Sequence, residues 1–143
     1  MTFMNHLVFL DTHAGELEKI LSGIKNMVVK EFDPTQPAAH RVSPGDSLYF
    51  LRDNDECDLR VKAAVVRDLF FSNCMNEDLS QILKEQQPRL QFTEDQYNYW
   101  SAKKQVLLVE FECAQKISII HVASNKLIDR SDWITFEEFG LIT

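Results

Sequence analysis

The chain has 143 residues, 45% hydrophobic and 26% charged, a globular composition that excludes disorder. That length suits one domain, here residues 1–143, whose core covers about 68–70% of the surface an unfolded chain exposes without help from disulfides or metal. Its 22 acidic side chains against 15 basic ones give a formal charge of −7, which excludes the uniformly basic surface of a non-specific nucleic-acid coat and leaves room only for a local basic site.

No apolar run approaches the about 20 residues that a membrane helix needs, and the start, with Leu7 to Leu10 cut short by Asp11, carries no readable secretory signal. Cys57, Cys74 and Cys113 are far apart and form no CxxC pair, and no histidine is spaced for zinc. The expectation is a soluble cytoplasmic protein with reduced thiols, no metal, no cofactor and no membrane contact.

In chain order, Leu7 to Leu10 reads as a buried strand, and Leu17, Ile20 and Leu21 then form a helical stripe opposite Glu16, Glu18 and Lys19. Gly23 ends that helix, and Lys25 to Phe32 returns to strand character. Pro34, Pro37, Pro44 and Gly45 mark a loop. Ser47 to Leu51 and Leu59 to Val66 follow as strands, the latter alternating Leu59, Val61, Ala63 and Val65 with polar positions, around an acidic tip at Asp53, Asp55, Glu56 and Asp58.

Residues 76–87 are helical by the spacing of Leu79, Ile82 and Leu83, and Thr93 to Gln96 opens another helix as a capping box. Lys104 to Cys113 is the strongest strand, with Leu107, Val109, Phe111 and Cys113 on one face, and Ile117 to Val122 is a further one. About six strands and three short helices, joined largely by turns, give an α+β chain that is mainly β. That tally favours a small mixed barrel with flanking helices over a doubly wound parallel sheet.

The chain contains no GxGxxG, P-loop, HExxH or GxSxG signature. His6, His13, His40 and His121 are scattered, and the adjacent acids Glu77-Asp78 and Glu137-Glu138 read as a helix start and a solvated turn. The informative stretch is Leu21-Ser22-Gly23-Ile24-Lys25-Asn26-Met27-Val28-Val29-Lys30, followed by Pro44-Gly45-Asp46-Ser47-Leu48-Tyr49-Phe50-Leu51. Strand, helix, a Gly-x-Lys strand, and a Gly-Asp turn into a strand: this succession resembles the ASCH family, whose fold is similar to that of PUA RNA-binding domains. Lys103-Lys104-Gln105-Val106-Leu107-Leu108-Val109 also resembles the family's returning strand, so the likeness runs from about residue 7 to about residue 122.

The resemblance implies a PUA-like β-barrel with the family's cleft lysine at Lys25, next to Gly23, and a basic position at Lys30. Asn26 replaces the frequent threonine, and Val28 stands where the family's small amidohydrolases carry theirs. Those enzymes also use a glutamate, for which the local sequence offers Gln87, or Glu85 with the register shifted by two. An amide hydrolase needs a group to manage the proton of its nucleophile, and a lysine with valine three residues on supplies none.

The reading that asks least of these residues is an RNA- or nucleotide-binding module. Gly23, Lys25, Asn26, Lys30, Arg41, Lys103 and Lys104 would frame a basic cleft, and Trp100, with Tyr97 and Tyr99 beside it, would offer a stacking surface. The alternatives are hydrolysis of an acylated cytidine-like amide, and an interaction or homodimer module using Phe70-Phe71 and Trp133 to Leu141. Trp100 and Trp133 also read as core anchors, and Lys25 and Lys30 as solvated strand edges.

Overall fold

The structure is a computed structural model, and it describes residues 3–11, 14–31, 42–52, 58–72, 79–123 and 133–136. The elements are β1 (Asn5–Leu10), α1 (Glu16–Leu21), β2 (Met27–Glu31), β3 (Ser47–Arg52), β4 (Asp58–Ser72), α2 (Leu79–Glu85), α3 (Gln87–Leu90), α4 (Glu94–Ser101), β5 (Gln105–His121) and β6 (Trp133–Phe136). They build one six-stranded sheet in the order β2-β5-β4-β3-β1-β6. β1 and β3 run parallel, and every other neighbouring pair is antiparallel. The sheet curls into a half-barrel, so the chain is mainly β with a few short helices.

Strand alternation divides the apolar residues between two layers. Val28, Leu107, Val109 and Phe111 face inward with Val8, Leu10, Phe50, Val61, Ala63 and Val65. Met27, Val106 and Leu108 face outward, where Leu79, Leu83, Leu90 and Phe92 from the helical segment cover them. The helices thus close the outer face of β2 and β5, and the inner layer fills the half-barrel.

Four sequence expectations change. The strands expected at Lys104 to Cys113 and Ile117 to Val122 are one strand, β5, whose polar middle is the exposed side of a long ribbon with β4. Register shifts at Leu59/Val61, Lys62/Ala64 and Val65/Arg67 bend that ribbon, and Cys113, with φ 57, is turned out to solvent rather than into the core. The sixth strand is β6, whose Trp133 is buried as a core anchor. Among the described residues there are four helices, because Pro88 sits in the first turn of a separate short one, α3.

The expected loop at Pro34 and Pro37, the acidic tip from Asp53 to Glu56, Cys57, Cys74, His13, His40 and the Glu77-Asp78 and Glu137-Glu138 pairs lie outside the described residues. No helix among the described residues is long and apolar enough to cross a membrane. Among them, no cluster of His, Cys, Asp or Glu could hold a metal ion.

Candidate ligand site at the seam of the half-barrel

β2 forms one end of the sheet, and β6 pairs with β1 from Asn5 to Val8, so Phe9 and Leu10 have no strand partner on that side among the described residues. A cavity of about 460 Å³ occupies this seam. Val8, Phe9, Leu10, Val28 and Val29 give it apolar walls, and Asp11, Glu16, Asp95, Gln96, Tyr99 and Trp100 give it a polar and aromatic side.

The polar side is built by the helix starts. Thr93 caps α4: its hydroxyl accepts from the Gln96 amide at 3.2 Å, and its own amide donates to Gln96 Oε1 at 3.0 Å. This box fixes the Gln96 side chain, leaving its Nε2 to donate to Glu16 Oε1 at 3.1 Å. The Asp11 amide donates to Glu16 Oε2 at 2.7 Å. Glu16, placed on the solvated side of the helix by its sequence pattern, is instead buried beneath α4.

Lys25 reaches the same carboxylate. Gly23 adopts φ 85 at the end of α1, and the Lys25 amide bonds back to Lys19 O at 3.1 Å, which turns its side chain inward. Lys25 is 1% exposed; its Nζ donates to Leu90 O at 2.5 Å, lies 3.5 Å from Glu16 Oε1 and stands 5.4 Å from the centre of the Phe92 ring. Burial pulls its pKa down to about 8, with Glu16 acting in the opposite sense.

The other expected site residues are dispersed. Lys30 is buried on the inner face with its ammonium 5.3 Å from the Trp133 ring, and burial lowers its pKa to about 8. Asn26 ties α3 to β5 through its backbone, accepting from Phe111 and donating to Arg89 O, and its Oδ1 is buried with no hydrogen bond. Lys103 pairs with Glu31 at 3.0 Å and lies 4.3 Å from the Tyr99 ring centre; the hydrogen bond to Glu31, then that to Tyr99, raises its pKa. Lys104 is exposed, and Arg41 lies outside the described residues.

Four lysines therefore do not converge on one basic cleft. Lys25 belongs to the helix-covered side with Leu90 and Phe92, Lys30 to the inner side with Trp133, and the described lining of the cavity holds carboxylates rather than cations. Trp100 is partly buried against the outer layer and also lines the cavity, so the core and site readings both apply to it. Gln87 is used structurally, exchanging two hydrogen bonds with the Phe92 backbone at 2.9 and 3.2 Å, and Glu85 is exposed. The carboxylate beside Lys25 comes from α1.

A second polar group, unforeseen from the scattered histidines, lies at the start of β1. His6 is fully buried, and its Nε2 meets Asp46 Oδ2 at 2.8 Å. The Trp133 indole N–H, a donor only, points at His6 Nδ1 from 3.1 Å, which assigns the neutral ring with its proton on Nε2. Thr135 Oγ1 also lies 3.1 Å from Nδ1, and Asp46 further accepts from the amides of Met4 and Ser43. These bonds fasten β6 and the Gly45 turn to β1.

No family model matches the sequence, and neither does any curated protein. Among solved structures, the ASCH protein of Zymomonas mobilis superposes with a TM-score of 0.62 at 11% identity, over 86% of this chain and 76% of that one. Two of its point mutants align likewise: one with a TM-score of 0.62 at 11% identity over 86% and 78% of the two chains, the other with 0.61 at 12% over 82% and 73%. At such identity the likeness concerns the fold, and it is clear on that point: this chain has an ASCH-like, PUA-like fold.

Proposed function

We propose that the chain is a binding module for RNA or a nucleotide-containing ligand, and that the ligand enters the seam cavity base first. The observation that carries this reading is the Glu16 carboxylate on the cavity wall, already held by Asp11 N–H, Gln96 Nε2 and Lys25. A carboxylate has about four acceptor positions, so three donors leave it able to take one more from a ligand. The exocyclic amine of cytosine or adenine is such a donor.

The remaining features agree. A cavity of about 460 Å³ suits a nucleoside, and Tyr99 and Trp100, in an edge-to-face pair with centroids 5.1 Å apart, present aromatic surface at its side. A base stacked there gains about 1–3 kcal/mol. Asp11, Glu16 and Asp95 repel a phosphate from the interior, while Lys103 beside Tyr99 and the exposed Lys104 can take it outside.

The test is fluorescence anisotropy with labelled hexamers of cytidine, adenosine and uridine at low salt. The amine-bearing hexamers should bind about tenfold more tightly than the uridine one, the worth of one charge-assisted hydrogen bond of about 1.5 kcal/mol. Log affinity should fall against log salt with a slope of about −0.7 for each phosphate held. Equal affinity for uridine, or no binding, would remove the proposal.

The hydrolase reading has one observation on its side, a lysine whose pKa is pulled to about 8 beside a carboxylate. Against it, Val28 offers no hydroxyl, and Lys25 is not in the cavity lining but behind Glu16. Incubation with N4-acetylcytidine is expected to release no cytidine.

A further inference from the structure

The long β4–β5 ribbon carries an unused backbone edge. β2 pairs with β5 from Val106 to Glu110, with one more bond from the Phe111 amide to Asn26 O at 2.9 Å. β5 then continues to His121 with β4 on its other side. Along residues 112–121 the side that β2 vacates therefore has no strand partner among the described residues, and a bare edge is a template for another strand.

α1, which leads into β2, stands across from this edge. Between them lies a groove of about 440 Å³, lined by Leu17 and Leu21 from α1, Ile117 and Ile119 from β5, and the cations Arg60 and Lys116. Leu21 is 37% and Ile119 50% exposed, apolar surface that water would otherwise cover. The described lining has two cations and no carboxylate on a protein of net charge −7, so the groove is locally selective for anions. Arg60, itself about half exposed, also lies 3.6 Å from Asp58, an ion pair of the solvent-screened kind.

We propose that this groove docks an extended segment of a partner protein, added as a strand to the free edge of β5, with apolar side chains against Leu17, Leu21, Ile117 and Ile119 and acidic ones at Arg60 and Lys116. The backbone ladder supplies the hold, and the two cations with the apolar floor supply the selection. This is independent of ligand binding in the seam.

The test uses the whole chain and two labelled octapeptides, one alternating valine with glutamate and the other valine with lysine. The glutamate peptide should bind at least tenfold more tightly and slow exchange of those amides in residues 113–121 that face away from β4, and an Arg60→Glu, Lys116→Glu double variant should reverse the preference. A strand uses only one of its edges, so N-methylating alternate amides of the peptide should abolish binding in one phase and spare it in the other. Failure of both peptides to bind, equal binding of the two methylated phases, or protection in the free protein of those amides in residues 113–121 that face away from β4, whether by a second copy or by the chain itself, would overturn the proposal.

Discussion

Lys25 Nζ lies 3.5 Å from Glu16 Oε1, and both side chains are buried, one carried by the turn after α1 and the other by its first residue. Helix α1 thus brings a cation from its exit to a carboxylate at its entrance, and Gln96 locks the carboxylate from α4. Removing one partner strands the other, which typically costs about 3–5 kcal/mol. Lys25→Met should therefore lower the urea-unfolding free energy by that order, and adding Glu16→Gln should recover most of it. A double variant no better than the single one would show that the two groups act separately.

The same lysine sets a response to alkali. Its folded pKa, like that of Lys30, is lowered to about 8 from 10.5, so between those pH values the native chain binds fewer protons than the unfolded one. By linkage, these groups add stability as pH rises from about 8 toward 10.5. Thermal melts across that window should show a shallower rise, or a fall, in Lys30→Met than in the wild type.

His6 sets the response to acid. Burial lowers its pKa below 6.5 against the opposing pull of Asp46, with Lys30 adding to the lowering. The native chain therefore carries fewer protons than the unfolded one just below pH 6.5, and stability is lost as pH falls through that value. Protonation would also set an N–H at Nδ1 against the Trp133 indole N–H. The melting temperature should drop from pH 7.5 to 5.5 in the wild type and stay flatter in His6→Gln.

How much of this was legible in the sequence depends on distance along the chain. Strand alternation from Leu59 to Val65, the capping box at Thr93 and the end of α1 before Gly23 are local signals, and the structure repeats them. Glu16 was not legible because its burial comes from Gln96, eighty positions away. The expected strands Lys104 to Cys113 and Ile117 to Val122 are one because β4 pairs across the residues between them, a long-range partner that local pattern does not reveal. Lys25 and Lys30 looked like neighbours in one cleft, yet the turn before β2 sends one under α3 and the other under Trp133.

The capping box offers a separate handle on the seam. Thr93→Ala should cost about 0.5–2 kcal/mol through the lost cap. It should also free the Gln96 side chain that holds Glu16, weakening cytidine-hexamer binding beyond what a surface substitution such as Lys84→Ala does. A stability loss with unchanged affinity would separate α4 from the site.

Stacking has its own prediction. Tyr99→Ala should weaken binding by about 1–3 kcal/mol for a base held there. Lys103→Ala, which breaks an exposed pair with Glu31, should alter stability by no more than about 1 kcal/mol while flattening the salt dependence.

The most direct measurement is a nitrogen-15 NMR titration with cytidine monophosphate, read at the side-chain N–H signals of Gln96, Trp100 and Trp133. Base entry into the seam predicts shifts of the Gln96 amide and Trp100 indole, with the Trp133 indole, tied to His6 in the interior, unmoved. Silence at Gln96 and Trp100 up to millimolar ligand, or movement confined to Trp133, would contradict it.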